Sequence, residues 1–180
     1  MSKVSKVGKV GKVGTGAVEL YLIRHGIAVD TAPDGRDESR ALTEEGIENL
    51  RREAEGLLAL GVSWDLVLTS GLVRARETAQ VLVRHMRLEA PIVRTAALEP
   101  SGSPQSVLTE LTKHRHAPSI ALVGHEPGMG ELAARLLRAR DPIPFKKGGV
   151  CRIDLLDQPP NDAGVLRWLA PPRMLRGLRR

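Results

Sequence analysis

A chain of 180 residues is long enough to enclose one hydrophobic core, and its 42% hydrophobic content with only 2% aromatic residues makes that core aliphatic. The formal charge of +6 sits at the ends: Lys3, Lys6, Lys9 and Lys12 precede the first acid, Glu19, and Arg173, Arg176, Arg179 and Arg180 lie in the last eight positions. Setting these aside leaves 19 of the 27 basic residues against 21 acidic ones, which with so few rings to stack bases excludes specific nucleic-acid binding as the main activity. One cysteine, Cys151, excludes an internal disulfide and any multi-cysteine metal site. No apolar run approaches the length of a membrane span. The opening lacks the apolar core and cleavage site of a signal peptide, so a cytoplasmic location is expected.

Residues 3–14 repeat Lys-Val-Ser/Gly with a period of three, which suits neither strand nor helix. A disordered basic tail is expected over 1–16, followed by one domain over 17–172 and a second basic tail over 173–180. Val18 to Ile23 is a compact strand ending at Arg24-His25-Gly26. After a polar loop, Ile47, Leu50, Ala54, Leu57 and Leu58 form an apolar stripe that predicts a helix from Thr43 to about Leu60, closed by Gly61. Leu66-Val67-Leu68 is a second strand ending at Thr69-Ser70-Gly71, and a helix through Ala75, Ala79, Leu82 and Val83 follows. Ile92-Val93 makes a short strand, and Val107, Leu108 and Leu111 mark a helix.

Ile120 to Val123 is the central strand and ends at Gly124-His125-Glu126. A helix over 129–139 precedes two further strands, Val150–Leu156 and Val165–Leu169, expected to be antiparallel at an edge. Strands alternating with helices predict a three-layer α/β/α sandwich around a mostly parallel sheet. In such sheets ligands bind beyond the carboxyl ends of the strands. Three polar signatures occupy that position: Arg24-His25-Gly26, Ser70 through Arg74, and Gly124-His125-Glu126. Two histidines and two arginines there describe an anion site, since guanidinium presents a planar fork of donors suited to phosphate. A neutral imidazole in it could attack phosphorus if its other nitrogen is held as a donor. Ser70 reads as a structural hydroxyl, and Arg40 as either a rim residue or a solvated one.

Leu22-Ile23-Arg24-His25-Gly26, Arg40 through Gly46, Ser70 through Ala79 and Val123-Gly124-His125-Glu126-Pro127 resemble, in order, the signature blocks of the histidine phosphatase superfamily, with its phosphoglycerate-mutase-like fold. The short length, Leu98 to Gly102 and Gly124 to Pro127 are most similar to its SixA-like phosphohistidine phosphatases. That resemblance implies that His25 is a transiently phosphorylated nucleophile, that Arg24 and Arg74 clamp the phosphoryl oxygens, and that His125 donates to them. It implies neither metal nor cofactor. Glu99 stands near the position of the family's general acid, and reads equally as an exposed loop residue. Little chain is available for a cap over the site. The expected partner is therefore a phosphorylated protein of the phosphotransfer type, or else a small phosphomonoester, and a monomer is the simplest assembly. A phosphate-binding module without catalysis is the reading of a different class.

Overall fold

The computed structural model describes residues 17–157, 160 and 162–178; the tail expected over 1–16 lies outside them. Six strands form one sheet: β1 (Val18–Arg24), β2 (Leu66–Thr69), β3 (Ile92–Arg94), β4 (Ser119–Gly124), β5 (Val150–Leu155) and β6 (Val165–Ala170). Their order is β3-β2-β4-β1-β5-β6, with the first four parallel, β5 antiparallel to β1, and β6 antiparallel to β5. Successive side chains of a strand point to opposite faces. Leu20 and Leu22 accordingly join Leu68, Ile120 and Leu122 on one face, while Tyr21 and Ile23 join Val67, Ala121 and Val123 on the other.

Helices cover both faces. Residues of α1 (Glu44–Ala59), α2 (Val73–Met86) and α5 (Pro172–Gly177) pack on the Tyr21 face, and those of α3 (Pro104–Leu111) and α4 (Gly128–Leu137) on the Leu20 face. The result is the expected three-layer sandwich. Leu50, Ala54 and Leu57 bury the stripe of α1, whereas Leu58, assigned to that stripe, is among the exposed apolar residues because it lies one position round the helix from Leu57. The Thr43 hydroxyl caps α1 by accepting from Gly46 N at 2.9 Å.

The carboxyl-terminal boundary differs from the expectation. Residues 172–177 form α5, Leu175 is fully buried, and Arg176 Nη1 donates to Glu53 Oε1 at 2.7 Å. Arg173 and Arg176 thus belong to a short helix whose Leu175 enters the core and whose Arg176 meets a buried acid, while Arg179 and Arg180 lie outside the described residues. Among the described residues, no helix is long and apolar enough to cross a membrane.

Sheet order places the site. The chain leaves β1 for α1 on one face and leaves β4 for α4 on the other, and β1 and β4 are neighbours. A crevice opens where adjacent connections part in this way. Arg24 pairs with Gly124 and Thr69 with Val123, so the ends of β1, β4 and β2 are level. His25, His125 and Ser70 emerge from them side by side.

Candidate active site

The two histidines face each other with ring centroids 5.0 Å apart, and both are buried, His25 at 6% exposure and His125 at 5%. His25 Nδ1 lies 2.7 Å from the carbonyl oxygen of Gly26. A carbonyl only accepts, so Nδ1 carries the hydrogen, and the neutral ring keeps its lone pair on Nε2. The next amide is tied as well: Gly26 N donates to Thr78 Oγ1 at 3.0 Å, and that hydroxyl donates to Arg74 O at 2.6 Å. Fully buried Thr78 therefore joins the end of β1 to the first turn of α2, where Arg74 sits.

His125 is oriented by Ser70, whose Oγ is 2.9 Å from Nε2. A hydroxyl has one hydrogen and two lone pairs, so Ser70 Oγ can accept from Leu72 N at 3.2 Å and also donate to Nε2. With Ser70 as the donor to Nε2, the hydrogen of neutral His125 resides on Nδ1, which is buried without a hydrogen-bond partner among the described residues. Ser70, a structural hydroxyl by residue type, thus positions His125; the sequence does not reveal a partner 55 positions away.

The two arginines are each held on one side. Arg24 Nη1 donates to Phe145 O at 2.7 Å, while its Nε is buried and unpartnered among the described residues. Arg74, 5% exposed, donates from Nη1 to Asp37 O at 2.8 Å and from Nη2 to Asp37 Oδ2 at 2.9 Å. Arg40 takes the other oxygen of the same carboxylate, Asp37 Oδ1, at 2.8 Å and anchors its Nε on Val29 O. These hydrogen bonds, from Arg40 first and then Arg74, hold the Asp37 carboxyl below the usual carboxylate range. Arg40 is therefore a rim residue linked to Arg74, and Asp37, which no sequence motif singles out, is the link. Glu99 lies at the edge of the group: it shares a small crevice with His125, Leu98 and Met129, and its Oε1 comes to 2.7 Å of where a side chain on Gly71 would begin.

Buried nitrogens of Arg24 and His125 without partners among the described residues, beside the Arg74 guanidinium, form a cationic pocket with the chemistry to receive the oxygens of an anion. The positive field also acts on the imidazoles. Burial lowers the pKa of His25 to about 4, with the Gly26 hydrogen bond opposing and the charges of Arg74, Arg24 and Lys147 adding. His125 is lowered to about 3, first by burial, then by His25 and Arg74, with Asp37 opposing and Arg24 adding. Lys147, on the turn before β5, is thus a further cation near His25. Among the described residues, no three His, Cys, Asp or Glu side chains are arranged to hold a metal ion.

The two depressed imidazoles also make stability depend on pH. Their folded pKa values lie below the ordinary value of about 6.5, so between there and about 4 the unfolded chain binds more protons. The stabilisation is complete above about pH 6.5 and is lost as pH falls, at about 1.4 kcal/mol per pH unit for each histidine. Thermal unfolding followed from about pH 8 to about pH 4.5 should show this decline. It should be shallower in His125→Gln, which removes one of the two titrating rings; an unchanged slope would refute the assignment.

Residues 20–99 match the histidine phosphatase superfamily, branch 1. The chain also resembles the mitochondrial serine/threonine-protein phosphatase Pgam5 of Drosophila persimilis, at 36% identity over 88 residues, covering 49% of this chain and 30% of that one. In three dimensions the chain is similar to the protein histidine phosphatase SixA complexed with tungstate, with a TM-score of 0.79 and 26% identity over 87% of this chain and 98% of that one. An uncharacterised protein of Picosynechococcus sp. is 36% identical over 137 residues, or 74% of this chain and 82% of that protein. A likeness that runs through the signature blocks and nearly the whole fold means that the chain belongs to the histidine phosphatase superfamily and is a phosphatase.

Proposed function

We propose that the protein removes the phosphoryl group from phosphohistidine on a phosphotransfer protein, with His25 as nucleophile. The observation that carries the chemistry is the hydrogen bond from His25 Nδ1 to Gly26 O, which leaves Nε2 as an unprotonated nucleophile inside a cationic site. In the first step, the Nε2 lone pair forms a bond to phosphorus as the substrate P–N bond breaks, and the departing imidazole nitrogen keeps the electron pair and takes a proton from solvent. In the second, water attacks phosphorus, the P–Nε2 bond breaks, and phosphate leaves. Arg24, Arg74 and His125 Nδ1 stabilise the charge on the equatorial oxygens in both steps. No step requires a metal or a cofactor.

Two features support a protein substrate. The connection from β1 to α1 contains only one 3₁₀ turn, Asp37–Ser39, and Leu98 leads to α3 through a short loop, so among the described residues no cap domain covers the site. The similarity also spans 98% of a chain described as a protein histidine phosphatase. The labile P–N bond lowers the demand for a strong acid, and Glu99 is then a rim residue rather than an indispensable proton donor. Phosphate release would be measured in the presence of EDTA, from a histidine-phosphorylated phosphotransfer domain and from small phosphomonoesters. The expected result is preference for the phosphoprotein, changed less than about threefold by Glu99→Gln, because an imidazole leaving group is readily protonated. Preference for an ester, abolished by Glu99→Gln, would instead establish a small-molecule phosphatase with Glu99 as its acid.

A further inference from the structure

Glu126 follows His125 and is fully committed to hydrogen bonds that lead back into the site. Its Oε1 accepts from Phe145 N at 2.6 Å and its Oε2 from Gly130 N at 3.3 Å. Phe145 is 3% exposed, its ring held in the apolar layer beneath α4, so its main chain has little freedom to turn. The carbonyl of this same residue accepts from Arg24 Nη1 at 2.7 Å. Further along the same turn, Gly148 N donates to both Arg24 O at 3.0 Å and His25 O at 3.1 Å. Gly148 has φ +83, and a side chain there would begin 2.5 Å from Glu53 Oε2, so only glycine brings the chain this close. The segment from Phe145 to Gly148 therefore grips Arg24 at its side chain and at its backbone.

A guanidinium has two usable edges for a tetrahedral anion. With Nη1 occupied by Phe145, the fork formed by Nε and Nη2 remains, and Nε is the buried atom that has no partner among the described residues. We propose that Glu126 is a positioning residue for oxyanion binding: by anchoring Phe145 N it fixes the Phe145 carbonyl on Arg24 Nη1 and so turns the Nε–Nη2 edge of Arg24 toward the phosphoryl oxygens. The inference rests on the reading of Arg24 as a phosphoryl ligand. Without the carboxylate, the buried Phe145 amide loses its acceptor, its carbonyl shifts, and the Arg24 side chain regains the torsional freedom that the anchor removes.

The test is the affinity for tungstate, a tetrahedral oxyanion, measured by titration calorimetry on the full chain. Glu126→Ala should weaken binding roughly 10-fold, the scale of one misaligned charge-assisted hydrogen bond. Glu126→Asp keeps the charge but is one methylene too short to reach Phe145, and should behave like Glu126→Ala; it carries the test if the alanine variant does not fold. Glu126→Gln retains an oxygen for Phe145 N and should restore affinity to within about threefold of wild type. In an Arg24→Lys background, which has no fork to orient, Glu126→Ala should cause no further loss. Wild-type affinity in the alanine and aspartate variants, no recovery in Glu126→Gln, or a loss that multiplies with that of Arg24→Lys would each overturn the proposal. If Arg24→Lys by itself binds tungstate as wild type does, the reading of Arg24 fails and the inference falls with it. If Arg24→Lys binds weakly while Glu126→Ala binds normally, only the role of Glu126 is lost.

Discussion

His25→Ala is expected to reduce turnover by about 10⁴-fold or more, with little loss of folded protein. The size follows from removing the proposed nucleophile, so that the remaining donors have no covalent step to assist. The small structural cost follows from what His25 contacts: the bond from Nδ1 runs to the carbonyl of its own neighbour, and the backbone bonds at this point do not involve the ring. His25 N still donates to Gly124 O at 3.1 Å, and Gly26 N still reaches Thr78. Rapid quenching of wild type at alkaline pH should trap phosphorus on the protein as an acid-labile, alkali-stable adduct, and His25→Ala should show none. Hydrolysis at an undiminished rate by that variant would remove His25 from the mechanism.

Arg74→Lys is the second large effect, between about 10²- and 10³-fold in kcat/KM, which is the usual cost of removing one donor aimed at developing charge. A lysine keeps the positive charge, so this loss measures geometry rather than field. Arg74 is only 5% exposed, and two of its nitrogens are already engaged by Asp37, whose other oxygen is held by Arg40. A single ammonium cannot span the Asp37 main-chain oxygen and carboxylate and still present a planar edge to phosphate. The same substitution frees Asp37 from one of its two arginines. Its carboxyl pKa should therefore rise toward the ordinary value, by the loss of the Arg74 hydrogen bond, and titration of Asp37 by NMR would read this directly. Unchanged kcat/KM in Arg74→Lys would mean that charge alone suffices at this position.

Much of this arrangement is legible in the chain because it depends on local pattern. Buried parallel strands require short unbroken apolar runs, and β1, β2 and β4 supply them, each ending abruptly in polar residues. Arg24, His25, Arg74 and His125 stand at or just beyond those ends, where position and residue type identify them. Asp37 escapes notice, because a single 3₁₀ turn in a polar loop has no periodicity, and its importance lies in hydrogen bonds to Arg40 and Arg74. Glu126 reads as a favourable charge at the start of α4, and that is part of what it does through Gly130 N; its bond to Phe145 depends on a loop returning 19 residues later. The helix α5 is hidden in a basic stretch because its evidence is the burial of one leucine and a pair between Arg176 and Glu53, 123 residues apart.

By itself, then, the sequence determined the six strands, the helices α1 to α4 and the residue types at the strand ends, since hydrophobic periodicity and residue type act over a few residues. Which ends meet was decided by the tertiary structure alone. The chain runs through α1, β2, α2, β3 and α3 between β1 and β4, yet those two strands are neighbours, with Arg24 level with Gly124. No local pattern carries that pairing. It arises from packing of the whole sheet between its two helix layers, in which β4 lies between β1 and β2, and this placement brings His125 against His25 and gives Ser70 its partner.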